Sequence, residues 1–214
     1  MAGSAKNPRS VGLIGAGKIG QLAALLLARK YGITIYDLDE EKARRSAAGR
    51  FAHVRLDIND AENLRRHLAG KELVISCLPF YCNEKVAAAA RKLGLSYCDL
   101  SEDVQTGMSI ERIAQGSPTR FIPHCGLAPG FVQILANDMV KRYDPVDSVS
   151  IRVGALPENP TNALKYNLTW STDGLINEYG NPCEVLIDGK LQDVQPLEGY
   201  ERLMIGDVEY EAFN

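Results

Sequence analysis

Gly15, Gly17 and Gly20 stand in the string Gly15-Ala16-Gly17-Lys18-Ile19-Gly20, and Asp37 follows 22 residues after the first of them. This spacing suits a diphosphate. The first glycine permits a tight turn, the second lets the phosphates approach the backbone, and the third lets a helix pack closely on a strand. Lys18 and Ile19 open that helix, whose first N–H groups and positive dipole end attract the anion. A carboxylate at Asp37 accepts from both ribose hydroxyls and repels a 2′-phosphate. No Arg or Lys stands directly beside Asp37 in the sequence, and Asp39, Glu40 and Glu41 add negative charge, so NAD is expected in preference to NADP. The rival string GxxxxGK from Gly12 to Lys18 lacks the Ser or Thr that holds magnesium, since Ile19 follows, and a triphosphatase is not expected.

A second group is defined by position. In an open α/β sheet, ligands bind outside the carboxyl ends of the strands. Asp57, Leu78, Pro79, Asp99 and Ser101 all fall at such ends, as do His124 and Cys125. Asp57 meets the adenine edge or is a solvated turn acid, while Leu78 and Pro79 pass beside the second ribose. Phe80 and Tyr81 offer an aromatic wall or a phenol to a substrate. His124 serves as a general base or is satisfied by local backbone. Cys125 is a nucleophilic or a packing thiol, and Asp99 orders an amine or a water. Farther along, Lys165, Tyr166, Asn167, Thr169 and Trp170 are polar handles for a zwitterion. Arg152 is a carboxylate clamp or a surface arginine, and Glu178 pairs with an ammonium or with a basic neighbour.

The elements that must position these residues alternate. Apolar strands are expected at 11–14, 33–36, 54–56, 73–78, 95–100 and 119–123. Helices are expected at 18–30, from Asp39 through Arg45, at 60–68 and at 84–93. Such alternation demands a parallel sheet covered by helices, a doubly wound α/β domain of the Rossmann type. From Asp147 the period falls to two, over 148–153, 183–187 and 208–212, with Asp188-Gly189 as a hairpin turn. The expected organisation is a dinucleotide domain over 1–130 and an antiparallel-rich α+β substrate and dimerisation domain over 131–214.

Composition narrows the class. A net charge of −3 gives no surplus for nucleic acid or anionic lipid. No run of 18 apolar residues exists, and the first ten residues are small and polar, so the expectation is a cytoplasmic chain without membrane partners. Five cysteines without a CxxC, and three histidines, do not make a zinc pattern, and no metal is expected.

Longer motifs add a family. Cys77-Leu78-Pro79, Cys98-Asp99-Leu100-Ser101, Gly126-Leu127-Ala128-Pro129-Gly130 and the stretch from Asn167 to Ser171, with Glu178-Tyr179 and the Tyr210-Glu211-Ala212-Phe213 ending, resemble the saccharopine dehydrogenase-like family. Within it the lysine 6-dehydrogenase branch is the nearest likeness. The resemblance implies a Rossmann domain, a mixed-sheet substrate domain, a homo-oligomer, and hydride exchange between NAD(P) and a C–N bond of an amino acid or amine. For lysine, the product would be a semialdehyde. A saccharopine reductase using NADP, or a binding module without chemistry, are the alternatives. Family members run well past position 214, so a truncated chain is expected. Its last strand, at 208–213, would then leave an unpaired edge that recruits another chain or frays.

Overall fold

The computed structural model describes residues 9–143, 145–154, 156–163, 166–168 and 170–214. The chain forms two compact units, Met1–Asp138 and Met139–Asn214.

In the first unit, strands β1 (Ser10–Ile14), β2 (Gly32–Asp37), β3 (Ala52–Arg55), β4 (Leu73–Ser76), β5 (Ser96–Asp99) and β6 (Phe121–Ile122) build one sheet. Its order is β3-β2-β1-β4-β5-β6, with every pair parallel. Helices α1 (Lys18–Leu27), α2 (Glu40–Ala47), α3 (Ala61–Leu68), α4 (Asn83–Leu93) and α5 (Val104–Ala114) join them. Alternation within the strands sorts two cores. Val11 and Leu13 face Ala24 of α1 and Ala43 and Ala47 of α2. Ile14 and Val74 face Leu64 and Leu68 of α3, Val86 of α4 and Ile110 of α5. Both faces of the sheet are covered, which is why the central strands read as near-continuous apolar runs. The order in which strands are added switches side between β1 and β4, and the crevice opens at the carboxyl ends of these two strands.

Helix α5 has no counterpart in the sequence expectations. Its Thr106, Gly107 and Ser109 are poor helix formers, and the helix is set by the Asp103 side chain, which accepts from the Thr106 N–H at 2.7 Å, and by burial of Ile110. Helix α6 (Phe131–Val140) was equally illegible.

The second unit holds α7 (Thr172–Gly180) and two hairpins, β7 (Cys183–Ile187) with β8 (Lys190–Val194), and β9 (Glu201–Ile205) with β10 (Val208–Ala212). Each hairpin is a separate two-stranded antiparallel sheet. Asp188 and Gly189 turn the first with φ of 51° and 73°, as the type I′ signal requires. The strand expected over 148–153 does not form. Its alternating Val149, Ile151 and Val153 are all exposed, and among the described residues no neighbouring strand supplies the ladder that a period-two pattern needs.

Candidate functional site

The glycine string forms the turn from β1 into α1. Gly15 adopts φ 104°, and a Cβ there would lie 2.7 Å from the Cys77 carbonyl oxygen and 3.3 Å from Leu78 Cδ2. Only glycine accepts this backbone and this closeness. Gly20 is tighter still, since its missing Cβ would sit 1.9 Å from the Gly15 carbonyl oxygen. Around Gly17, by contrast, nothing lies within 4 Å of that position, so the backbone is bare toward open space. Gly17 caps α1 without a side chain, whereas Asp39, Asp60 and Asp103 cap α2, α3 and α5 with their carboxylates. The first N–H groups of α1, from Lys18 and Ile19 onward, are thus offered to an outside anion.

Asp37, at the end of β2, is buried and works on the turn itself. Its Oδ2 accepts from the Ala16 N–H at 2.8 Å, and its Oδ1 accepts from the Asp39 N–H at 3.0 Å. Each oxygen keeps a further lone pair for a ribose hydroxyl. No base neighbours Asp37 in the sequence, but the fold brings one, since Lys42 Nζ lies 3.5 Å from Asp37 Oδ2, and the electrostatic ground for expecting NAD is corrected accordingly. Helix spacing is the cause. With Asp39 as the cap, Lys42, Arg45 and Ser46 share the face turned toward the glycine turn, and Ser46 Oγ donates to the Ala16 carbonyl at 2.7 Å. A cavity of about 360 Å³ results, lined by Ala16, Gly17, Lys18, Gln21, Lys42, Arg45 and Ser46. In the sequence Lys42 and Arg45 read only as helix continuation, and the cap at Asp39 was the signal that would have placed them. These groups fit a dinucleotide, with bare backbone for its diphosphate and cations for further charge.

The other cofactor candidates separate. Leu78 packs at Gly15, and Pro79 precedes a short 3₁₀ turn, Phe80–Cys82. Asp57 Oδ1 accepts from the Asn59 N–H at 2.8 Å, the geometry of a turn acid.

At the carboxyl ends of β5 and β6 a polar network replaces the expected open acid. Asp99 is fully buried. Its Oδ1 accepts from the N–H groups of Ser101 at 2.8 Å and His124 at 3.3 Å, while Oδ2 accepts from the Tyr97 hydroxyl at 2.8 Å. Burial pushes the Tyr97 phenol up, and the adjacent carboxylate adds to this, so the hydroxyl stays a donor. Asp99 therefore ties three segments together and presents no oxygen to solvent. Tyr97, which sequence reasoning missed, reads only as an apolar strand residue.

His124 sits at φ 60°, and its Nδ1 lies 2.7 Å from the Ser101 carbonyl oxygen. A carbonyl only accepts, so Nδ1 carries the proton. Nε2 faces α5, where it lies 2.1 Å from the point a Cβ on Gly107 would occupy. Gly107 makes room for the imidazole. The local-backbone alternative thus has its partner in Ser101, and a role as base requires Nε2 to leave Gly107. A mid-helix Gly→Ala change ordinarily gains about 1 kcal/mol. Gly107→Ala is expected to do the opposite and lower stability by about 1–3 kcal/mol, because the new methyl overlaps the ring. Thermal denaturation checks the sign, and an upward shift in Tm would refute this packing.

Cys125 is exposed, and its thiol donates to the Ile122 carbonyl at 3.3 Å. Phe80 and Tyr81 meet edge to face with centroids 5.6 Å apart, and Tyr81 is 59% exposed. The turn after Cys125 closes where the Phe131 N–H donates to the Gly126 carbonyl at 3.0 Å.

In the second unit, Arg152 is committed to Glu201. Its Nη2 donates to Glu201 Oε2 at 2.9 Å, its Nε contacts Oε1, and the pairing lowers the Glu201 carboxyl. The surface alternative describes it, since both carboxylate oxygens of Glu201 already fill the fork. Tyr166 and Trp170 meet, the indole donating to the phenol oxygen at 3.2 Å, whereas Asn167 is exposed. Lys165 and Thr169 lie outside the described residues. Among the described residues no group of three or more metal-ligating side chains comes together. Nor is any helix long and apolar enough to cross a membrane.

Comparison with known proteins agrees with this geometry. The chain is 28% identical over 155 residues to the alpha-aminoadipic semialdehyde synthase of Arabidopsis thaliana, covering 69% of this chain and 14% of that protein. It is 26% identical over 147 residues to the saccharopine dehydrogenase [NADP(+), L-glutamate-forming] of Schizosaccharomyces pombe, covering 66% of this chain and 33% of that one. The chain thus spans well under two thirds of these relatives. The apo saccharopine dehydrogenase (L-Glu forming) of Saccharomyces cerevisiae superposes with a TM-score of 0.74 at 20% identity, over 96% of this chain and 49% of that one, which shows a shared fold. The family model of the saccharopine dehydrogenase NADP binding domain matches residues 11–119, and that of the saccharopine dehydrogenase C-terminal domain matches 126–213. Matched along both units in this way, the chain belongs to the saccharopine dehydrogenase family.

Proposed function

We propose that the protein is an NADP(H)-linked oxidoreductase of the saccharopine type, acting on a C–N bond of an amino-acid derivative. One observation carries the choice of cofactor. Lys18, Lys42 and Arg45 line the cavity beside Asp37, so a third phosphate finds cations there. The S. pombe relative, whose name specifies NADP(+), supports the same reading. Lysine 6-dehydrogenase activity with NAD is the second reading, favoured by the ribose-facing capacity of Asp37. On either reading residues 1–130 hold the dinucleotide and residues 131–214 serve substrate binding and dimerisation, in a cytoplasmic homo-oligomer.

The bound dinucleotide supplies the hydride acceptor or donor. The chain supplies placement. The α1 N-terminus and the Gly17 backbone hold the diphosphate, and Asp37 keeps the turn in shape through Ala16. Leu78 and Pro79 border the crevice at the switch between β1 and β4. His124, with its proton fixed on Nδ1 by Ser101, offers Nε2 to take a proton from a substrate nitrogen once the ring leaves Gly107. The phenol of Tyr81 and the ring of Phe80 lie at the same sheet edge.

Titration with NADPH and NADH by calorimetry tests the cofactor. NADPH is expected to bind at least about tenfold more tightly. Lys42→Ala/Arg45→Ala should cost NADPH about 10–100-fold and NADH less than about threefold, since each lost charged contact is partly solvent-screened. Tighter binding of NADH would overturn the reading. Turnover of saccharopine against lysine then separates the two substrates.

A further inference from the structure

Cys98 and Cys125 lie together at the carboxyl edge of the sheet, and the proposed chemistry uses neither. Strand pairing sets Cys98 opposite Ile122. The chain then turns at His124, and the Cys125 N–H donates to the Asp99 carbonyl at 2.8 Å, which returns Cys125 to β5. There the side chains of Cys98 and Cys125 are neighbours, and the Cys125 proton points to the Ile122 carbonyl at 3.3 Å. Cys125 is exposed and Cys98 partly buried. One sulfur is reachable from solvent and a second stands in contact behind it, as an attacking and a resolving thiol must.

We propose that Cys98 and Cys125 are an oxidative modification site, closing to a reversible disulfide when the chain meets hydrogen peroxide. First the Cys125 sulfur attacks one peroxide oxygen. An S–O bond forms and the O–O bond breaks. The departing oxygen leaves as water with the thiol proton, and Cys125 becomes a sulfenic acid. The Cys98 sulfur then attacks the Cys125 sulfur. An S–S bond forms, the S–O bond breaks, and a second water carries away the hydroxyl and the Cys98 proton. Two thiols are oxidised by two electrons and one peroxide is reduced to two waters. A dithiol reductant reverses the bond by exchange.

The pair is a slow sensor. Burial pushes both thiols up, Cys98 to about 12, so the thiolate is scarce near neutrality and the rate rises with pH. The neighbouring Cys98 thiol works in the opposite sense at Cys125, favouring its charged form, and Cys125 is also the more exposed of the two, which marks it as the sulfur that attacks peroxide first. Closure would tether the turn at 126–130 to β5 and restrain His124, the residue between.

The test exposes the reduced chain to hydrogen peroxide at about pH 7 and about pH 9, alkylates the remaining thiols and maps them by mass spectrometry. The expected product is lighter by about 2 Da, contains a peptide linking positions 98 and 125, keeps three of the five thiols alkylatable, forms faster at the higher pH and reverts in dithiothreitol. In Cys98→Ser, Cys125 should gain oxygen instead of closing the bond. Overoxidation of Cys125 in the unaltered chain with Cys98 still alkylated would overturn the proposal. So would a disulfide that persists in Cys98→Ser, or no thiol loss at all. The unaltered chain alone is decisive if the variant does not fold. The readout needs no bound dinucleotide, so it stands or falls apart from the cofactor reading.

Discussion

Gly20→Ala is expected to abolish dinucleotide binding, weakening it by at least about 100-fold, or about 2.7 kcal/mol. The missing Cβ would lie 1.9 Å from the Gly15 carbonyl oxygen and 3.1 Å from Leu13 Cδ2. The first of these neighbours is backbone, held in the turn that donates from the Gly15 N–H to the Tyr36 carbonyl at 2.8 Å. It cannot swing aside as a side chain would. Helix α1 must therefore shift away from β1, and the N–H groups aimed at the diphosphate shift with it. A stability loss of about 1–3 kcal/mol should accompany this. Gly17→Ala separates the two effects. Nothing lies within 4 Å of its Cβ position, so the variant should fold as the parent does and still bind poorly, because the methyl occupies ligand space. Calorimetric titration beside thermal melts reads both quantities. A Gly20→Ala protein that binds NADPH normally would refute the proposed turn.

Asp99→Ala should be the most damaging change at the opposite end of the crevice. It leaves the N–H groups of Ser101 and His124 and the hydroxyl of Tyr97 without their acceptor, in a place where Asp99 and Tyr97 are both fully buried. Each orphaned donor costs about 1–3 kcal/mol, and some are recovered by water, so a loss of about 3–5 kcal/mol is expected in urea unfolding. Asp99→Asn retains one carbonyl oxygen for the two N–H groups but turns an NH₂ toward the Tyr97 hydroxyl, which can rotate to donate elsewhere. About half the loss is expected. A neutral Asp99→Ala would show that the network is ornamental and would return Asp99 to the pool of candidate reacting groups.

Much of the first unit was legible because its signals are local. The apolar runs at β1, β2 and β4, the acids at Asp39 and Asp60 that start helices, and the glycine spacing each act within a few residues. What escaped was decided at a distance. Helix α5 contains Gly107 because an imidazole from the turn after β6, seventeen residues later, needs the space, and no local rule demands that glycine. Lys42 read only as helix continuation until the turn of α2 set it against Asp37. Asp99 stood at a strand end where ligands bind, yet Tyr97 and two backbone N–H groups consumed its oxygens. Arg152 had the right chemistry for a carboxylate and found one within its own chain, on β9. In the second unit the alternation at 148–153 was real, but a strand is a pairwise object, and a pattern cannot report whether a neighbour exists.

The contact between Lys42 and Asp37 changes what cofactor choice means. A phosphate that reaches Lys42 does not meet a free cation; it must win the ammonium from a carboxylate only 3.5 Å away. Discrimination is then an exchange of one anion for another, and the net preference is a difference between two attractions, smaller than either. Salt screens the exposed attraction to an incoming phosphate more than the partly buried one to Asp37. Selectivity at this turn is therefore a property of the chain together with its ionic surroundings, and the same residues would choose more sharply in dilute buffer than in a crowded electrolyte.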